Sequence, residues 1–155
     1  MSLGRIESLW IKRAHGGPMG PTPRVTLIAG HGIEGNASVG GKRHVTVLSL
    51  ERWREVERSL GRTIDPSARR ANVLVSGIDL ADARGKLLRL GSARIAVRGE
   101  TRPCEQMDEA SSGLRAALSP PWAGGLFGEV AVGGVIAIGD PASWDDGVAH
   151  QEGSV

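Results

Sequence analysis

The chain has 155 residues, enough for one domain with a single core and too few for a second catalytic domain. Lys plus Arg is 19 against 17 Asp plus Glu, a formal charge of +2 spread along the chain, and only 3% of residues are aromatic, with no tyrosine; the first argues against a nucleic-acid module and the second against a base-stacking platform. Glycine is the outlier at 23 residues, roughly twice ordinary usage, but 40% hydrophobic and 23% charged residues are not a disordered composition, so the glycines read as turns of a strand-rich domain.

Arg5 to Lys12 reads as a strand, ended by Ala14-His15-Gly16-Gly17-Pro18, and Pro18, Pro21 and Pro23 then make a stiff loop. Val25, Leu27 and Ala29 alternate with their neighbours as a short strand that runs into the segment Gly30 to Gly41, which is polar and reads as a loop lying close to something. His44 to Leu48 is the next strand. Ser49 caps a helix in which Leu50, Trp53, Val56 or Glu57, and Leu60 recur at helical spacing before Gly61. Asp65-Pro66 pairs a cap with a first-turn proline and opens a short helical turn ahead of a strand at Asn72 to Val75. At most one helical turn separates Asp79 from Gly85.

Two later segments read as tight hairpins built alike. In Lys86 to Arg98, apolar residues alternate on either side of Gly91-Ser92, with Arg89, Arg94 and Arg98 on the other face. In Glu129 to Gly139, Val130 and Val132 precede Gly133-Gly134, and Ile136 and Ile138 follow it. Between them, Arg102-Pro103-Cys104 leads to a helix expected from Ser111 or Ser112 to Leu118, halted by Pro120-Pro121. The pattern is that of a mainly β barrel or sandwich over residues 1–144, with a polar tail at 145–155 that reads as disordered. The scarcity of rings predicts a core of Val, Ile, Leu and Ala.

The single cysteine excludes an intramolecular disulfide and a multi-cysteine zinc site, and points to a reducing compartment. No stretch approaches the roughly 18 apolar residues of a membrane helix, and no signal peptide opens the chain, so a cytoplasmic setting is expected. Cys104 follows Pro103, lies two residues after Arg102 and precedes a predicted helix. A nearby guanidinium and a helix start both favour thiolate, the form that attacks, carries sulfur or ligates a soft metal. A buried structural cysteine is the alternative, and the loop position and neighbouring charge favour the reactive reading.

The four histidines are nowhere three or four apart, so they make no helical zinc pair, and a His44 that packs or hydrogen-bonds is favoured over one lining a pocket. Residues 35–40 are not a nucleophile elbow, and Lys42-Arg43 is not the end of a P-loop. Of the 19 basic residues 16 are arginine, and Arg69-Arg70-Ala71-Asn72 sets two planar cations and an amide before a strand, able to hold phosphate and a heterocycle edge. The alternative there is a solvated Arg69 and an Asn72 that makes a turn bond.

The ordered set of Gly32-Ile33-Glu34-Gly35-Asn36 with Arg43, Ala68-Arg69-Arg70-Ala71-Asn72 through Leu80, Gly85 and Gly91, Arg102-Pro103-Cys104, Gly124-Gly125-Leu126 and Val130 to Asp140 resembles the MOSC family, named for the molybdenum cofactor sulfurase C-terminal domain. The resemblance covers about residues 25 to 141; no single motif in it is specific, but their order and spacing are. It implies a compact β-barrel of the pyruvate-kinase type with a few peripheral helices, here a stand-alone member.

It also implies a site round one cysteine that carries sulfur or ligates the molybdenum of a bound molybdopterin. Cys104 matches that cysteine, Arg70 and Asn72 the family's arginine-asparagine pair, and Arg43 the basic position before the following strand. With Arg102 and the loop residues Gly35 and Asn36 these form the expected cofactor-binding set. The implied partners are a cysteine desulfurase or an electron-donor protein. The pyridoxal phosphate of related sulfurases belongs to a separate domain for which this chain has no room. Three departures stand out: Asn36 where the family often has Asp, Ser38 where it often has His, and Ala123 in place of an arginine before Gly-Gly-Leu. A molybdenum-dependent reductase of N-hydroxylated compounds and a non-catalytic binding module are the alternatives to a sulfur carrier; the chain has neither a Rossmann fingerprint nor the cysteines of an iron–sulfur cluster, so electrons would come from a partner.

Overall fold

The computed structural model describes residues 4–14, 17–37, 44–102 and 111–145. Arg43, Cys104 and most of the C-terminal tail lie outside the described residues. In chain order the elements are β1 (Gly4–Lys12), β2 (Met19–Pro21), β3 (Arg24–Ile28), β4 (Gly32–Ile33), β5 (Val45–Ser49), α1 (Leu50–Leu60), a 3-10 turn (Pro66–Arg69), β6 (Val73–Ser76), β7 (Leu87–Leu90), β8 (Ala93–Glu100), α2 (Leu114–Ala117), β9 (Leu126–Val132), β10 (Gly134–Ala137) and β11 (Pro141–Trp144).

Seven of the strands close on themselves in the order β1, β6, β5, β9, β8, β7, β11 and back to β1, so the fold is the expected mainly β barrel. β5 and β6 are parallel, with Val47 opposite Val73, and α1 supplies the crossover that a parallel pair requires. β2 extends the sheet from β1, and β10, β3 and β4 form a separate three-stranded sheet. The barrel interior is aliphatic, from Ile6 and Leu9 round to Val130 and Ala142. A second cluster between the helices and the outside of the barrel holds Trp10 and Trp53, so the expectation of an aliphatic core applies to the barrel alone. Trp53 fits there because its ring nitrogen donates to the Ile64 carbonyl at 2.8 Å.

α1 begins and ends as its sequence requires. The Ser49 hydroxyl accepts the Arg52 N–H at 3.2 Å, and Gly61 closes the helix in the left-handed region at φ 72°. Ser49→Ala is expected to lower stability by about 1 kcal/mol, read as a shift of the urea midpoint at unchanged slope. α2 is shorter than expected, beginning only after Gly113. Arg62 donates to the Ser111 hydroxyl, at 3.1 Å from Nε, and to the Ser112 carbonyl, while Gly113 occupies the cap position without a side-chain bond.

The first predicted hairpin is present, with Leu90 opposite Ala93 across Gly91-Ser92 and Gly91 at φ 56°. The second is corrected. β10 does not fold back on β9; it pairs with β3, Gly134 opposite Leu27 and Ala137 opposite Arg24. Gly133 and Gly134 lack the positive φ of a tight hairpin turn. They are glycines because backbone passes close: a Cβ on Gly133 would lie 2.6 Å from the Leu27 carbonyl oxygen, and one on Gly134 2.5 Å from the Ser92 hydroxyl. The pair hands the chain from the barrel to the small sheet. His44 takes a hydrogen-bonding role, its Nδ1 accepting the Val130 N–H at 3.0 Å from a buried position.

Candidate functional site

Asp65 opens the 3-10 turn by accepting the Ser67 N–H at 2.9 Å, and the turn stops at Arg70, whose φ of 65° is left-handed. A residue with a Cβ visits that region uncommonly, and this bend sends two adjacent guanidinium groups to different loops. Arg69 is buried, with Nε donating to the Gly124 carbonyl at 3.0 Å, and the Thr101 hydroxyl donates to the same oxygen. Gly124 permits this because a Cβ there would lie 2.8 Å from the Thr101 carbonyl oxygen and 3.1 Å from Arg69 Nε. The reading of Arg69 as a solvated cation is thereby corrected: it ties the turn to the segment before β9.

Arg70 Nη2 donates to the Gly17 carbonyl at 2.5 Å. Among the described residues nothing else engages its five-donor fork. Two residues on, Asn72 is buried and bolts three strands together. Its Oδ1 accepts from both the Thr46 N–H and the Thr46 hydroxyl at 3.1 Å, and its Nδ2 donates to the Trp10 carbonyl at 3.2 Å. Its own carbonyl accepts the Trp10 N–H at 2.8 Å. The second Nδ2 hydrogen meets no other described residue. Asn72→Ala is therefore expected to cost about 1–3 kcal/mol without any ligand present, because it strands the Thr46 N–H in the interior. Equilibrium unfolding in urea measures it.

Gly35 and Asn36 sit at the C-terminal end of β1. Gly35 is left-handed at φ 85°, and Asn36 is buried with Oδ1 accepting the Lys12 N–H at 2.7 Å. The Ala37 N–H donates to the Lys12 carbonyl at 2.5 Å, which fastens this loop to the strand. A carboxylate could accept the Lys12 N–H as well, so the amide at position 36 keeps that anchor.

Arg102 leaves the end of β8 with its side chain 79% exposed, and Nη2 lies 3.5 Å from Glu100 Oε1. At that exposure the pair contributes little to stability. The other oxygen of Glu100 accepts the Trp122 N–H at 2.8 Å, and Trp122 is itself left-handed at φ 64°. A bulky residue held in that region signals an overdetermined loop, and nothing in the sequence marks it. Ala123 is buried and lines a groove of about 300 Å³ between α1 and α2, into which Arg52 brings a cation from α1.

The structure thus gathers Gly35, Asn36 and Arg70 with its neighbour Asn72 around the end of β1 and the loop that follows it, and places Arg102 at the end of β8. Arg43, Cys104 and Ser38 lie outside the described residues. Among the described residues no group of three His, Cys, Asp or Glu is set to hold a metal ion, and no helix is long and apolar enough to cross a membrane.

A MOSC domain model matches residues 12–143, which extends the resemblance over 25–141 back through β2 to the end of β1. A comparison with curated protein sequences returns no significant match. Among solved structures the chain is similar to the YUAD protein from Bacillus subtilis, at 22% identity and a TM-score of 0.79 over 91% of this chain and 94% of that one. It is also similar to YiiM from Geobacillus stearothermophilus, at 19% identity and a TM-score of 0.70 over 92% and 75% of the two chains. YiiM from Escherichia coli gives 18% identity and a TM-score of 0.69 over 93% and 71%. At these identities the likeness is one of fold.

Proposed function

Because the chain belongs to the MOSC family, we propose that it binds molybdenum cofactor, or carries sulfur, through Cys104. The observation that supports this reading is the state of Arg70: its backbone is held left-handed, one N–H is spent on Gly17, and the remaining donors meet no other described residue. The donor chemistry fits the implied group. A guanidinium fork suits a phosphate, Gly35 lets backbone come close to a ligand, and one amide hydrogen of Asn72 suits a ring edge. When bound, the cofactor supplies a redox-active molybdenum for which a thiolate is a soft ligand.

The chain's own residues do the holding. Arg70, with Arg43 and Arg102 as further cations, neutralises the anionic end of the ligand, and Asn36 keeps the Gly35 loop against β1. In the sulfur-carrying form, the Cys104 thiolate attacks the outer sulfur of a cysteine desulfurase persulfide. The donor's S–S bond breaks, the donor cysteine leaves as its thiolate, and Cys104 holds the sulfur as a persulfide. In the reductase form an electron-donor protein supplies the electrons. Mass spectrometry of the native protein from molybdate-fed cells tests the reading: a pterin mass or one extra sulfur is expected, and a bare polypeptide with no sulfane sulfur overturns both forms and leaves a non-catalytic barrel.

A further inference from the structure

Among the described residues four large hydrophobic side chains stand in water: Ile28, Val132, Val135 and Ile138, at 38–56% exposure. Scattered singly they would need no explanation. Ile28 lies on β3 and Val135 on β10, while Val132 is the last residue of β9 and Ile138 the first residue after β10, so the four gather at the small sheet and its two junctions.

The register of the small sheet puts two of them, Ile28 and Val135, on one face. Val135 is opposite Thr26, Ala137 opposite Arg24, and Ile28 opposite Gly32, and residues directly opposite lie on one face. Val25, Leu27, Ile33 and Ile136 point the other way and are buried. Glu34, whose N–H donates to the Thr26 carbonyl at 2.9 Å, continues the row of Val135 and Thr26 across β4. Arg24 and Glu34 are both exposed, and among the described residues neither side chain has a partner. The outward face therefore carries Ile28, Val135 and Ala137 beside one unspent cation and one unspent anion.

The outer edge of β10 is blocked. The Ala137 N–H donates to Asp140 Oδ2 at 2.9 Å, and Gly134 abuts Ser92. At β10 a partner therefore stacks on the face instead of adding a strand.

We infer that this face is the interface of a two-fold homodimer. The charges say why the occupant is a second copy. With strands about 4.8 Å apart and residues about 3.4 Å apart along them, a two-fold axis in the plane of the face that sets Arg24 against Glu34 of the other copy passes through Val135. That axis packs Val135 on its own symmetry mate and carries Ile28 over the other copy's Ala137. The patch is self-complementary, as an isologous contact must be.

Sedimentation of the full chain over a wide concentration range tests this. A species of twice 16.2 kDa is expected, and Val135→Lys should raise its dissociation constant more than about tenfold, as loss of a central apolar contact does, with the melting curve of the subunit retained. Arg24→Glu and Glu34→Arg should each weaken self-association, and mixing the two variants should restore a heterodimer, since every contact is then between opposite charges. A wild-type chain that is monomeric throughout overturns the inference. So does a dimer indifferent to Val135→Lys, or a monomer whose patch instead binds lipid vesicles.

Discussion

Cys104→Ala is expected to abolish protein-bound sulfane sulfur and to strip molybdenum from the purified protein. Alanine has neither a nucleophile nor a soft ligand, and Cys104 is the only cysteine in the chain, so no second thiol can substitute. Cyanolysis of bound sulfur and elemental analysis of wild type and variant measure the effect; an alanine variant that keeps either load overturns the assignment. Arg70→Gly separates binding from folding. Glycine suits φ 65° better than arginine does, while the loss of a charge-assisted bond worth about 1.5–3 kcal/mol should weaken an anionic ligand roughly tenfold or more. Weakened binding together with an unchanged or higher urea midpoint is expected. A fall in both would make Arg70 a structural residue only.

Asp145→Ala is expected to be the most destabilising single substitution at the end of the chain, by about 3 kcal/mol. The barrel closes through β11, which pairs with β7 on one side and with β1 through only Gly4 and Arg5 on the other. Just beyond β11, the Asp145 carboxylate is 3% exposed, accepts from Arg89 Nη2 at 3.1 Å and from Arg94 Nε, and the backbone N–H of Asp145 donates to Leu87. Arg89 and Arg94 face each other directly across the β7–β8 ladder. Two like charges so placed repel, and Asp145 holds them together. Its removal leaves both cations without their shared partner. The arginines are 43% and 32% exposed and can turn to water, which keeps the loss near the lower end of what a broken buried pair costs. Asp145→Asn, which retains an acceptor of the same size, should lose less. Urea unfolding of the three proteins decides it; an alanine variant within 0.5 kcal/mol of wild type, the range of ordinary surface changes, would show that Asp145 does not secure the closing strand.

The elements legible in the sequence are those whose cause lies within a few residues. Ser49 and Gly61 bracket α1, Asp65-Pro66 starts the 3-10 turn, and Gly91-Ser92 turns the first hairpin; each is built from a cap or a required φ that neighbouring residues supply. Gly133-Gly134 has the same local appearance and a different fate, because close approach to Leu27 and Ser92 calls for glycine as strongly as a turn does. At the candidate site, Arg70, Asn72 and Asn36 were legible as positions, but not the bonds they make. Asn72 spends most of its amide on Thr46 and Trp10, and Arg69 is a buried tie instead of a surface cation. The left-handed Trp122 gives no sign in sequence at all.

By itself, then, the sequence determined a glycine-punctuated, aliphatic β domain, its one capped helix, and the ordered motifs of the MOSC family. Only the tertiary structure decided which strands close the barrel, which arginines are spent inside the fold, and that a second sheet turns Ile28 and Val135 outward. The physical reason is range. Periodicity and capping act within one or two turns of chain, whereas Arg69 meets Gly124 across 55 residues and Asp145 meets Arg89 across 56, and such pairs exist only once the edges of the barrel have met.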